Sequence, residues 1–130
     1  MNTSLKQQMI NKGKSRFWKL INDNGGAFSF SKSFMKDEKL TDIVNNNKII
    51  SIKEDDKIFI PKFQFDSEGH LYKGIREFIK LYPWDDYTVC LFLLTRTDPK
   101  NSKERPIDVI TQGDLQRVYD LAELFYQQRP

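Results

Sequence analysis

The sequence of 130 residues has a single cysteine, Cys90, and a single histidine, His70. One cysteine leaves no partner for an internal disulfide, and one histidine excludes a metal site with two histidine ligands. Cys90 lies in the apolar run VCLFLL (residues 89–94), so we expect it in the core rather than at a reactive site. The cysteine count is typical of a reducing, cytoplasmic setting.

Long apolar runs are also missing. No stretch approaches the roughly 20 residues of a membrane-spanning helix, and residues 1–8 lack the apolar core of a signal peptide. No phosphate-binding loop, dinucleotide-binding turn or nucleophile elbow occurs. The acid pairs at residues 55–56 and 85–86 fall in a predicted loop and at a predicted helix start, where carboxylates are usually solvated or capping. We therefore predict a protein that is not an enzyme, has no cofactor and has no membrane contact.

Charge is nearly balanced, with 21 basic and 18 acidic residues and a net charge of +3. This excess neither requires nor excludes a nucleic-acid partner. The first twenty residues hold five basic residues and no acid: Lys6, Lys12, Lys14, Arg16 and Lys19. A helix with this composition either faces phosphate or is simply solvated.

The hydrophobic pattern predicts a mainly helical chain with one small β-hairpin. Apolar residues recur at helical spacing after the N-terminus, after a turn near His70, after Trp84 and after Gly113, which predicts helices over residues 4–22, 71–82, 86–94 and 114–127. β-Branched residues at 49–53 and 57–61 predict two strands joined by a polar loop at 54–56. Residues 37–47 predict a short helix. The type of residues 27–35 stays open, with Ser29 or Ser31 able to cap a brief helix.

Short helices followed by a hairpin are the order of a winged helix-turn-helix. We therefore expect a helix-turn-helix-like lobe with a β-hairpin wing over residues 1–62, and a helical lobe over residues 63–130. The candidate DNA-binding residues, which offer polar groups to bases and phosphates, are Lys39, Thr41, Asn45, Asn46 and Lys48. Because the wing tip at residues 54–56 is acidic and would repel phosphate, a vestigial lobe that serves dimerisation or partner contact is the alternative.

The segment IPKFQFD (residues 60–66) joins the two predicted lobes. Pro61 cannot donate a ladder hydrogen bond and should end the second wing strand. Phe63 and Phe65 are two residues apart, so they should point together into the core while Gln64 points away, and each Phe→Ala change should cost about 3 kcal/mol. Gln64 is expected to bond to a neighbouring backbone group rather than to a ligand.

The phrases IPKFQFD, HLYKGIREFIKLYP, WDDYTVCLFLLT and RPIDVITQGDLQRVYDLAE follow one another over about the last 70 residues. In this order they resemble the C-terminal part of bacterial antitoxins of the MbcA/ParS/Xre type. RPID followed by QGD is the most specific part, because it combines charge, proline, acid and glycine. The resemblance implies a homo-oligomeric protein that neutralises a partner toxin of the NAD-consuming RES-domain class and binds promoter DNA through its N-terminal lobe.

The resemblance also implies the partner-binding residues Arg105, Asp108, Gln112, Asp114 and Arg129. Arg105 and Asp108 flank Pro106 and could present a bidentate donor and an acceptor to a toxin, or could instead pair with each other within the fold. Two other functions stay open. One is a stand-alone winged-helix DNA-binding regulator, and the other is an interaction protein of a phage or mobile element that kept the fold and changed its target.

Overall fold

The structure, a computed structural model, describes residues 5–31, 49–97 and 104–128, with side chains from residue 12 onward in the first range. The described part is mainly helical with a small antiparallel sheet, which confirms the predicted class. Its elements are α1 Leu5–Asp23, β1 Ala27–Ser31, β2 Ile52–Glu54, β3 Lys57–Pro61, a one-turn 3-10 helix Lys62–Gln64, α2 Lys73–Leu81, α3 Asp86–Leu94, α4 Pro106–Thr111 and α5 Leu115–Gln128.

Several predictions fall outside the described residues. They are the short helix at residues 37–47, the DNA-binding candidates Lys39, Thr41, Asn45, Asn46 and Lys48, and the partner-binding candidate Arg129.

Helix α1 ends where the sequence predicts, at a pair of glycines. Gly25 and Gly26 have φ of 98° and 75°, a left-handed backbone that side chains with a Cβ rarely adopt. The Gly26 amide donates to the Ile21 carbonyl at 3.0 Å, which satisfies one of the free carbonyls at the helix end. The side-chain amide of Asn24 donates to the Leu20 carbonyl at 2.8 Å. This turn leads the chain directly into β1.

The sheet has three strands in the order β1-β3-β2, so the predicted hairpin has gained a third strand. Ser29 and Ser31 lie opposite Phe59 and Lys57 of β3, and the brief helix considered for residues 27–35 is therefore wrong for residues 27–31. The turn after α1 places this segment beside β3, where its backbone groups find ladder partners. The wing turn is also shorter than predicted, because Glu54 pairs with Lys57 across Asp55 and Asp56.

The main hydrophobic core combines residues from both sides of the predicted division at residue 62. Phe17 and Ile21 of α1 and Ile52 of β2 belong to one cluster with Ile75 of α2 and Val118 of α5. A smaller cluster lies under the sheet and contains Ile58 and Ile60 with Phe30, Ile49 and Phe65 packed against them. The predicted division is therefore not a division of the main core.

Helix α3 lies at the centre of this core and is buried on most of its surface. From the sequence alone, helical spacing predicts that Tyr87, Cys90, Leu91 and Leu94 lie on the buried side of this helix. Cys90 and Leu94 are buried, but so are Val89, Phe92 and Leu93, whereas Leu91 is 42% exposed. The prediction for Leu91 is therefore wrong. A single apolar stripe describes a surface helix, and α3 packs against neighbours in several directions.

Gln64 is the fully buried residue of IPKFQFD, and the predicted orientation of this segment is wrong. Its side-chain oxygen accepts from the Ile50 amide at 2.8 Å, and its amide donates to the carbonyls of Ile50 and Pro61, both at 2.9 Å. Phe63 and Phe65 are half-buried and pack against different clusters. The two-residue alternation fails because residues 62–64 form a 3-10 turn rather than a strand. The predicted hydrogen bonds from Gln64 to backbone groups are confirmed. We call Gln64 and its backbone partners at Ile50 and Pro61 the Gln64 junction.

Candidate partner-binding site

The sequence RPID forms the start of α4, with Pro106 at the first helical position. Proline suits this position because its missing amide hydrogen would have no partner within the helix. The Asp108 carboxylate accepts from the backbone amide of Arg105 and from the Nε and Nη2 atoms of its guanidinium, at 3.1 Å in each case. Arg105 and Asp108 therefore pair with each other within the fold, which is one of the two alternatives predicted from the sequence.

Arg105 also reaches back across the fold to the turn that ends α1. Its Nη1 atom donates to Asn24 Oδ1 at 2.5 Å, a contact between residues 81 positions apart. The hydrogen bonds from Arg105 hold the pKa of the Asp108 carboxyl below its usual range. The side chains of Arg105 and Asp108 are 34% and 41% exposed. Arg105, Asp108 and Asn24 form what we call the Arg105 junction, and a partner-binding role for Arg105 and Asp108 stays a prediction.

Gln112 and Asp114 lie on either side of Gly113 at the turn between α4 and α5. Gly113 has a φ of 85°, which lets the chain reverse immediately after α4. Asp114 accepts a hydrogen bond from the Arg117 amide at 3.2 Å and so caps the start of α5. Both Gln112 and Asp114 are exposed. Of the predicted partner-binding residues that the structure describes, these two leave side-chain atoms accessible at a turn.

Gln112 also lines a groove between α2 and this turn, with a volume of about 380 Å³. A Cβ added at Gly74 would lie 3.0 Å from Leu115 Cδ2 and 3.2 Å from Ile110 Cγ2, so glycine allows α2 to approach α4 and α5 this closely. We call this surface the α2–α4 groove; it is lined by Tyr72, Lys73, Gly74, Glu77, Ile110, Thr111, Gln112, Gly113 and Leu115.

A second groove lies between α1 and α3 and has a volume of about 500 Å³. Its floor is apolar and two basic residues stand on its α1 side. Gly13 is in the interior of α1, where glycine costs about 1 kcal/mol relative to alanine. We call this surface the α1–α3 groove; it is lined by Gly13, Lys14, Arg16, Phe17, Leu20, Tyr87 and Leu91.

The predicted wing is attached to the helices through Glu54 at the end of β2. The Glu54 Oε1 atom accepts from the Tyr87 hydroxyl at 2.6 Å and from Trp18 Nε1 at 3.4 Å. Asp55 and Asp56 remain exposed at the turn. The β2–β3 turn is therefore acidic in the structure as it is in the sequence, and negative charge there opposes contact with phosphate.

A third cavity, of about 370 Å³, lies beside the start of α3 and contains Asp85, Asp86 and Lys53 in its lining. Partial burial raises the pKa of the Asp86 carboxyl, and Lys53 acts in the opposite direction. Asp85 caps α3, because it accepts from the Thr88 amide at 2.9 Å. The two carboxylates of this pair thus differ: Asp85 caps a helix, and Asp86 is partly buried, which disfavours its charged form.

The described residues include no group of three or more His, Cys, Asp or Glu side chains that could hold a metal ion. Burial raises the pKa of the Cys90 thiol far above its ordinary value, so the reactive thiolate is disfavoured. None of the helices in the described ranges is both long and apolar enough to cross a membrane.

Each groove is lined by a glycine inside a helix, and neither glycine is among the residues predicted from sequence to bind a partner. Gly13 interrupts a helical run without ending it, and Gly74 lies one residue inside α2. A glycine inside a helical pattern is the signal that points to such positions, since its propensity cost needs a compensating reason. Leu91 was predicted to be buried because helical spacing puts it on the same stripe as Cys90 and Leu94.

Comparison with known proteins finds no matching family model, no matching curated protein and no matching solved structure.

Proposed function

We propose that this chain is a protein-binding adaptor of antitoxin type, which binds and neutralises a partner toxin through the α2–α4 groove. The observation that carries the proposal is that the two ends of α4 differ: its start is held within the fold and its end is accessible. Arg105 and Asp108 hold the start of the helix against the turn after α1, while Gln112 is exposed at its end and lines the groove. The segment that resembles the antitoxins thus has a fixed part and an accessible part.

The chemistry of the groove supports a protein as the occupant. Ile110 and Leu115 supply apolar surface, and Lys73, Glu77 and Gln112 supply polar groups around it. An apolar centre with a polar rim is typical of protein interfaces. The close packing at Gly74 and the turn at Gly113 define the shape before a partner arrives, and a preformed surface loses less entropy on binding.

The partner class comes from the resemblance, which implies a toxin of the RES-domain type. The groove rim carries charges of both signs, Lys73 and Glu77, so it offers a donor and an acceptor rather than a field of one sign. On this proposal the chain needs no cofactor and performs no catalysis, since neutralisation requires only that a partner surface be covered.

The test is a growth assay in which the protein encoded next to this chain's gene is expressed alone and together with the chain. We expect that protein to arrest growth and the wild-type chain to restore it. Gln112→Trp fills the groove and Lys73→Glu reverses a rim charge, so each should weaken the rescue. Lys80→Glu is the matched control, because Lys80 is also an exposed lysine of α2 but does not line the groove.

The outcomes separate the antitoxin from the alternatives. A neighbouring protein that is harmless, or rescue that is unchanged by Gln112→Trp and Lys73→Glu, would contradict the proposal. Equal loss with Lys80→Glu would point to a general loss of folding or charge instead of the groove. A stable complex with a protein that is not toxic would favour the interaction protein of a phage or mobile element.

A winged helix-turn-helix over residues 1–62, and regulation of the chain's own promoter by an oligomer, form a second part of the proposal. The β2–β3 hairpin supports it, whereas the acidic turn at Asp55 and Asp56 opposes it. The same hairpin supports the second candidate function, a stand-alone DNA-binding regulator. DNA retention that falls steeply with salt and is weakened by Lys39→Ala or Lys48→Ala would support DNA binding.

A further inference from the structure

We propose that the α1–α3 groove is a separate docking surface, which takes a short amphipathic helix with an apolar face and acidic flanks from a partner protein. It goes beyond the proposed neutralising role because it is built from different elements and faces a different kind of ligand. Three features of the groove point to this occupant: its apolar floor, the glycine in α1 and the basic charge of its rim.

The floor of the groove is apolar side chain that the fold leaves accessible. Leu91 is 42% exposed, although its neighbours Cys90 and Phe92 are fully buried. Leu20 of α1 and Tyr87 of α3 are half-buried on the two sides, and Phe17 lies at the base. Covering this surface would remove apolar area from water, which is the main driving force of association.

Gly13 is the feature that indicates a helix as the occupant. Among the described residues, an added Cβ at Gly13 would meet nothing within 4 Å, so the packing of those residues does not require glycine there. Glycine is nevertheless the poorest helix former after proline. Without a Cβ, the backbone of α1 stays open to the close approach of another backbone at the edge of the groove. Gly13 and Leu20 are two helical turns apart, so the groove extends about 10 Å along α1. A bound helix with apolar residues at i, i+3 or i+4, and i+7 has an apolar face of the same length.

The rim selects the charge of the occupant. Lys14 and Arg16 line the groove and are exposed. Lys12 of α1 is exposed as well, whereas Lys19 pairs with Asp23 at 3.2 Å. Acidic side chains flanking an apolar stripe would complement this edge. A nucleic acid would place charged phosphate against the apolar floor, which is unfavourable. A membrane is bound by apolar groups that protrude and insert into it, whereas this surface is a concave groove. An acidic amphipathic helix satisfies both the floor and the rim.

The test uses two synthetic helical peptides of equal length with leucines at i, i+3, i+4 and i+7. The other positions carry glutamate in one peptide and lysine in the second. Each is titrated into the full-length, isotopically labelled chain and followed by NMR. We expect the glutamate peptide to bind and to shift the resonances of Phe17, Leu20 and Leu91, and the lysine peptide to leave them unchanged.

Matched variants then assign the binding to the groove. Leu91→Glu should weaken binding of the glutamate peptide at least tenfold. Leu81→Glu, which changes a still more exposed leucine at the end of α2, should leave binding unchanged. Lys14→Glu combined with Arg16→Glu should lose the glutamate peptide and gain the lysine peptide. Gly13→Leu should block binding, while Gly13→Ala should raise the melting temperature as a better helix former. Unchanged amide spectra outside the groove show that each variant is folded.

Each contrary result overturns the proposal. Absence of glutamate-peptide binding, equal binding of both peptides, or equal losses with Leu91→Glu and Leu81→Glu would do so directly. Dimerisation that rises with protein concentration and is lost in Leu91→Glu would identify a second copy as the occupant. Binding to anionic vesicles that depends on Leu91 would identify a lipid surface. The growth assay of the α2–α4 groove is independent of all these results.

Discussion

The Gln64 junction and the Arg105 junction both connect separate parts of the chain through side-chain hydrogen bonds, but one uses a neutral side chain and the other a charged one. Each fastens a loop to a distant part of the chain through one side chain with several hydrogen bonds. Gln64 is neutral and completely buried, and its three bonds go to the backbone at Ile50 and Pro61. Arg105 is charged and about a third exposed, and its bonds go to the side chains of Asp108 and Asn24.

From this difference we expect burial, rather than charge, to decide how much each junction contributes to the free energy of unfolding. When one partner of a buried hydrogen bond is removed, the groups left behind cannot turn to water, and each costs about 1 to 3 kcal/mol. When a partly exposed ion pair is removed, water replaces much of the interaction, and such pairs are commonly worth about 1 kcal/mol or less. The neutral Gln64 should therefore matter more than the charged Arg105.

The largest expected effect is that of Gln64→Ala. The change leaves the amide and carbonyl of Ile50 without their observed partner and opens a cavity, so we expect the free energy of unfolding to fall by about 3 kcal/mol. Phe65→Ala is the comparison, and because Phe65 is only half-buried we expect a loss of about 1 to 2 kcal/mol rather than the 3 expected from sequence. Urea denaturation measures both. A larger loss for Phe65→Ala than for Gln64→Ala would contradict the ranking.

Arg105→Ala should cost less, about 1 kcal/mol, because its pair with Asp108 is partly exposed and screened by solvent. Arg105→Lys should recover little of this loss, since lysine keeps the charge but cannot make the bidentate contact with Asp108 and also reach Asn24. The same denaturation measurement applies. A loss for Arg105→Ala as large as that for Gln64→Ala would show that charge outweighs burial in this fold.

Acid titration sharpens the contrast, because only the Arg105 junction contains a titratable group. The pKa of Asp108 is lower in the folded chain than in the unfolded one, so its contribution is fully present above the unfolded value, near pH 4, and is lost as pH falls through the lower folded value. We expect the stability difference between wild type and Asp108→Asn to shrink as the pH falls below about 4. A difference that stays constant down to pH 2 would contradict this role of Asp108.

The smallest effect should come from Asp86, whose pKa is shifted in the opposite direction. Its carboxylate is partly desolvated, and a raised folded pKa means that the charged form opposes folding at neutral pH. Asp86→Asn should therefore raise the melting temperature at pH 7 by about 2 °C. The advantage should fade as acidification through the raised pKa protonates Asp86 in the wild type. Thermal unfolding at pH 7 and pH 4.5 measures this, and a lower melting temperature for the variant at pH 7 would exclude it.

Much of the secondary structure follows from chemistry that acts over a few residues. The glycines after α1, the capping Asp85 and the turn at Gly113 mark boundaries that the structure reproduces. Helix α4 was not predicted, although Pro106 at its first position is a local signal for a helix start. The bond from Gln64 to nearby backbone was also predicted, since a polar group among aromatics needs a partner. These features depend on dihedral preferences and on hydrogen bonds between neighbours, which the order of residues determines.

The tertiary structure decided four other features: the burial of Gln64, the strand at residues 27–31, the exposure of Leu91 and the contact from Arg105 to Asn24. Each depends on groups far apart in the sequence, as with the 81 positions that separate Asn24 from Arg105. Local patterns identify which side chains can bond or bury themselves. Which of them do so, and which remain accessible in the two grooves, is determined only when the helices and the sheet pack together.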